Sequence, residues 1–141
     1  MSTQKTFKVG DRLFDAVQPS AVLQDELLGL LSTKIYIAFQ VAAKGGTDLG
    51  VKECAFMLMT LPVETKRRMV EILTERVYLS GTKGEVSVSA KDFQGRMVEW
   101  NTLLAELLIW NLSDFFAYLS DDLKEGRRAK PKKAAKPAKA E

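Results

Sequence analysis

The chain has 141 residues, the size of one domain, and with 46% of them hydrophobic it can bury a sizeable core. Seven of its 21 Lys and Arg and one of its 18 acids lie in residues 127–141. That end therefore carries +6 and the other 126 residues −3, and the body lacks the basic footprint of a folded nucleic-acid reader. The absence of His excludes Ser-His-Asp and Cys-His nucleophiles and His-containing metal sites, and a single Cys excludes an internal disulfide or a thiolate zinc site.

The N-terminal stretch "MSTQKTFKVGD" has no long apolar run, so it reads as no secretory leader. "TFKVGDRLFDAV" alternates apolar and polar residues around Gly10-Asp11 and predicts a short β-hairpin, with Phe7 and Val9 on one arm and Leu13 and Val17 on the other. From Ser20 to Lys44 the apolar residues Leu23, Leu27, Leu30, Leu31, Ile35, Phe39 and Ala42 keep a helical period. The reading is one long helix, started at Pro19-Ser20 and ended by Gly45-Gly46.

A helix is next expected from Val51 to Thr60, since Met and Ala outnumber β-branched residues there. Its Cys54 reads as a buried, inert thiol. Pro62 suits the first turn of a further helix reaching to Gly81, with Val63, Met69, Val70, Leu73 and Val77 as its apolar stripe. "GEVSVS" suggests a third short strand near residues 85–88, added to the hairpin.

Ser89 and Asp92 have the spacing of a helix start. The pattern that follows runs to Gly126, with a break expected near Asn111–Ser113 and a second segment capped by Ser113-Asp114. Trp100, Leu104, Leu107, Leu108 and Phe115 lie on one stripe, and Leu103, Ile109, Trp110, Leu112, Phe116 and Tyr118 make the opposite side apolar as well. Such a helix is either the centre of the fold or partly exposed to an oligomer or client. Glu106, Asn111 and Asp114 make Leu103–Leu119 too polar, and it is too short, for a membrane span of about 20 residues.

No reaction motif emerges. Asp25/Glu26 and Asp121/Asp122 are adjacent pairs that diverge on a helix, and "AKGGTDLG" lacks the ending of a phosphate loop. The reading is therefore a non-enzyme without cofactor or metal. The Lys/Ala/Pro-rich segment 127–141 reads as a disordered tail attached to a compact, mainly helical domain of residues 1–126. Its Arg127, Arg128, Lys130, Lys132, Lys133, Lys136 and Lys139 suit salt-sensitive, sequence-blind contact with nucleic acid, with no aromatic residue to stack on bases.

The order of elements, from "FKVGDRLFDAVQPSAVLQDELL" through mixed helices to "WNTLLAELLIWNLSDFFAYL" and a low-complexity end, resembles the small tail assembly chaperones of long-tailed bacteriophages. The likeness covers most of residues 7–120 and is most recognisable over Trp100–Leu119 with its "NLSDFF". It implies a non-catalytic factor of the host cytoplasm that keeps the helical tape measure protein soluble while tail-tube subunits polymerise around it, and that leaves before the virion is finished.

Weak self-association follows from the resemblance. So does a longer, frameshifted form of the protein if an A-rich run encodes Lys132-Lys133. Trp100, Leu104, Leu107, Leu108, Trp110, Phe115 and Phe116 become the expected packing, client or oligomer contacts. The alternatives are a basic-tailed nucleic-acid-binding protein and a small helical adaptor.

Overall fold

The two-residue turn at Gly10-Asp11 sets the register of everything before Ser20. The computed structural model describes residues 3–31, 33–45, 50–81, 87–118 and 121. Strand β1 (Gln4–Val9) pairs antiparallel with β2 (Arg12–Val17), so that Val9 faces Arg12 and Phe7 faces Phe14. Residues directly opposite share a face of the sheet. The buried face is therefore Phe7, Val9, Phe14 and Ala16, while Leu13 is exposed and Val17 half-buried. The hairpin is where the sequence places it, but Phe14 and Ala16 replace Leu13 and Val17 as the core residues of its second arm.

Gly10 makes this turn with φ +63, a conformation L side chains rarely adopt. A Cβ there would also lie 2.8 Å from the Glu99 carboxylate, so that side chain would have to shift.

The expected long helix from Ser20 to Lys44 is two helices. Helix α1 (Ala21–Leu30) begins where Ser20 accepts a hydrogen bond from the Leu23 amide (3.3 Å). It stops at Leu31, whose ψ of 129° is extended, and α2 (Thr33–Lys44) follows. A straight rod over both would be about 36 Å long. The break lets α1 lie on α4 (Val63–Leu73) while α2 lies against α3 (Val51–Met59).

Helix α3 matches its expectation. Helix α4 starts after Pro62 as expected but ends at Leu73, not Gly81. There the Thr74 hydroxyl donates to the Val70 carbonyl (2.7 Å), and the chain turns into strand β3 (Val77–Leu79). Val77 is buried, as its place in the apolar pattern suggested, but it reaches the core from a strand paired with Ala16 of β2. The β-branched and aromatic residues of Val77-Tyr78-Leu79 favour that state once a strand edge is offered.

The third strand among the described residues is 77–79. Residues 85 and 86 lie outside the described residues, while Val88 adds a single backbone hydrogen bond to the Val77 carbonyl (2.8 Å). The sheet order is β1-β2-β3, all antiparallel. The remaining strands and helices confirm a mainly α fold with a small N-terminal sheet. The tail expected over 127–141 also lies outside the described residues.

Ser89 and Asp92 do form a reciprocal capping box, but it starts only a 3₁₀ turn, Ala90–Phe93. Gly95, at φ +78, then redirects the chain into α5 (Met97–Asn111). The long helix accordingly begins at Met97 and not at Ala90. The break expected near Asn111–Ser113 is present at Leu112, after which the backbone is helical again over 113–118.

Helix α5 is the centre of the molecule. Nine of its fifteen residues are buried, and β1, α3, α4 and the 3₁₀ turn all pack on it. Aromatic rings join the sheet to it: Phe7 meets Trp110 edge-on with centroids 5.4 Å apart, and Phe93 bridges Phe14 (5.5 Å) and Trp100 (5.2 Å). Of the two arrangements open to an all-round apolar helix, the fold adopts the central one.

Leu104 is 1% exposed in the middle of this core. Leu104→Ala should cost about 2–5 kcal/mol, the range for a leucine cavity that neighbours cannot refill. Urea unfolding checks this, and a loss under 1 kcal/mol would contradict a central α5.

Candidate functional site

The seven residues singled out in the aromatic segment divide at Leu112. Trp100, Leu104, Leu107, Leu108 and Trp110 are all buried and pack in the core, and Trp110 also lines a cleft at its edge. Phe115 and Phe116 follow the break and are half-buried. Phe116 stacks nearly parallel on Phe39 of α2 with centroids 3.6 Å apart, and Phe115 lies 6.5 Å from Tyr36. These two rings hold α2 to the end of the α5 region. The seven basic positions from Arg127 to Lys139 lie outside the described residues.

Large apolar side chains are exposed on several elements, among them Val22 of α1, Met97 and Val98 of α5 and Tyr118 beyond it, and two neighbouring helices carry more than one each. On α2, Ile37 and Val41 stand one turn apart and are 49% and 64% exposed. On the neighbouring α3, Phe56 is 62% and Met59 40% exposed, and Val63 continues the series into α4. Helical spacing could have located both stripes. What it could not supply is which of the two apolar sides of each helix meets the core.

A cleft of ≈ 380 Å³ lies where β1, the start of α3 and the last turns of α5 meet, lined by Lys5, Phe7, Val51, Glu106, Ile109, Trp110 and Ser113. Its walls are apolar apart from Lys5, Glu106 and the Ser113 hydroxyl. The Lys5 ammonium lies over the Phe7 ring, 5.1 Å from its centre. Burial raises the Glu106 pKa above the ordinary glutamate value, and the positive charge of Lys5 partly offsets this. Glu106 had attracted notice in the sequence only as a charge that argues against a membrane span.

Asn101 and Asn111 are polar side chains buried in the helical core, and the half-buried Lys66 reaches the first of them. Lys66 of α4 donates to the Asn101 side-chain oxygen (2.6 Å), and burial lowers its pKa from the ordinary lysine value. Asn101 donates in turn to the Met97 carbonyl (2.9 Å). Asn111 is bonded likewise, donating to the Leu107 carbonyl (2.9 Å) and accepting from Gln24 of α1 (3.2 Å).

Cys54 is fully buried, and desolvation pushes its pKa up to about 12, which leaves it a thiol at neutral pH. Among the described residues, no three His, Cys, Asp or Glu side chains come together as metal ligands, and no helix is long and apolar enough to cross a membrane. No family model matches the chain, and no curated protein or solved structure matches it either.

Two expectations follow. Lys66→Ala leaves the buried Asn101 oxygen without its donor and should cost about 1–3 kcal/mol, whereas Lys66→Met combined with Asn101→Leu should recover most of that loss. Urea denaturation of the single and paired variants measures the coupling. Glu106 holds its proton more tightly folded than unfolded, so its contribution to stability falls as pH rises from the ordinary glutamate range through the raised folded value. Glu106→Gln should flatten that part of the stability profile, and urea midpoints across the acidic range test it.

Proposed function

We propose that this chain is a non-catalytic tail assembly chaperone of a long-tailed bacteriophage. It acts in the host cytoplasm by holding the helical tape measure protein in solution while tail-tube subunits assemble around it. The observation that carries the reading is the pair of exposed apolar stripes, Ile37 with Val41 and Phe56 with Met59, on adjacent helices of a protein whose central helix is already covered. Amphipathic helices bind other proteins by laying one apolar face against another. A client rich in such helices would find partners here without any unfolding of the core.

The resemblance of the element order supports the same reading, and so does the net negative charge of residues 1–126, which disfavours nucleic acid as their partner. On this reading α2 and α3 form the contact surface, bordered by the half-buried Phe115 and Phe116, while the buried residues of α5 hold that surface in place. Weak self-association through the same stripes, contact with the tail-tube protein and a longer frameshifted form remain parts of the proposal.

Co-expression with a helical tape measure fragment tests it. Full-length protein and a form ending at Gly126 should capture the fragment equally. Val41→Lys combined with Phe56→Ser should reduce capture at least about tenfold, since burying one large apolar side chain is worth roughly 1.5–3 kcal/mol. Recovery of nucleic acid alone, lost at high salt and on removal of residues 127–141, would overturn the proposal in favour of a basic-tailed binding protein.

A further inference from the structure

The geometry points to the cleft between β1, α3 and α5 as the seat for one large apolar side chain of an amphipathic client helix, with Lys5 and Glu106 pairing with a carboxylate and a cation that flank it. The inference rests on the client reading above and adds to it a place and a sequence preference.

The floor of the cleft is Phe7 and Trp110, braced edge-on against each other, and its sides are Val51 and Ile109. These residues come from three elements that are fixed by the core, so the cleft is present before any ligand arrives, as binding pockets generally are. Its volume accommodates a side chain the size of Phe or Leu.

The charges choose the occupant. Lys5 and Glu106 line the same cleft, yet no ion pair joins them. Glu106 is held half-buried in apolar surroundings. A positive group placed beside it would relieve that burial, and a negative group would do the same for Lys5. A purely apolar ligand would cover both charges and leave each only the partial offset the other provides, which disfavours it. A helix with Glu and Lys one turn to either side of a large apolar residue offers both complements at once.

The test uses the full-length protein and four synthetic amphipathic helices with a central Phe. Its flanking positions are Glu and Lys, Lys and Lys, Glu and Glu, or Gln and Gln. Intrinsic fluorescence reports occupancy because Trp110 lines the cleft whereas Trp100, the second of two tryptophans, is sealed in the core. The wild type should bind the Glu/Lys helix about three- to tenfold more tightly than the other three, the range for partly exposed charge pairs.

Lys5→Glu should transfer the preference to the Lys/Lys helix, and Glu106→Lys should transfer it to the Glu/Glu helix. Ile109→Phe, which narrows the cleft without adding a tryptophan, should weaken all four. Circular dichroism confirms folding of each variant, and Lys5 is on the surface, so its reversal reads charge alone.

Helices that bind while neither reversal moves the preference would overturn the cleft assignment and leave the client reading standing. Binding of a free amino acid at the cleft, with no helix bound anywhere, would overturn both.

Discussion

A helix that is apolar on almost every side must be covered on almost every side, and α5 imposes that constraint on the whole chain. The covering elements are short, so no single one can reach around it. The chain meets the demand by turning often: after Leu30, between Met59 and Val63, beyond Leu73 and at Gly95. Each turn ends an element that had packed on one neighbour and begins another elsewhere. The inner face of the sheet closes one side through Phe7, Val9, Phe14 and Ala16, α3 closes a second, and α4 and the 3₁₀ turn complete the cover.

Apolar cover alone would leave α5 free to rotate about its axis, because a hydrophobic surface has little directional preference. The buried polar contacts supply the direction. Asn101 is held by Lys66 of α4 and Asn111 by Gln24 of α1, and each also satisfies a carbonyl in its own preceding turn. At the other end of the sheet, Arg12 lies over Phe93 at 4.3 Å, donates to the Asp92 carbonyl (2.8 Å) and approaches Glu99 (3.7 Å). The hairpin turn is thereby fastened to the start of α5. On the outside, Arg68 grips Glu26 through two nitrogens and joins α4 to α1.

Sealing α5 has a functional consequence. The most aromatic segment of the chain is largely spent on holding the fold together, and α2 and α3 each expose more than one large apolar side chain. On the proposed reading, a client would be bound on this surface without exposure of the core, so that capture and release would carry no cost in unfolding. Stability and binding would then rest on different helices.

Much of this architecture was legible in the sequence. The hairpin at Gly10-Asp11, the start of α1 at Ser20, the extent of α3, the start of α4 after Pro62 and the break at Leu112 all rest on local preferences of turn residues, caps and helical period. The misreadings share one origin. Leu31 looks helical, Val77 continues an apolar stripe, and Ser89 with Asp92 makes a sound helix start, yet the chain bends, becomes a strand or stops after one turn at these places. In each case, a distant element offers a better partner than the local continuation: α4 for α1, β2 for Val77, and Phe14 for Phe93 at the end of the 3₁₀ turn.

The candidate site follows the same division. The sequence by itself determined that a helix apolar on nearly all sides lies in the second half of the chain and that the chain carries no recognisable reaction motif. Only the tertiary structure decided that this helix is the core, that Ile37, Val41 and Phe56 face outward, and that Lys5 and Glu106, about a hundred residues apart in the chain, share one cleft. Helical period records which residues lie on the same side of an element. Which side meets water depends on long-range packing, which that period does not encode.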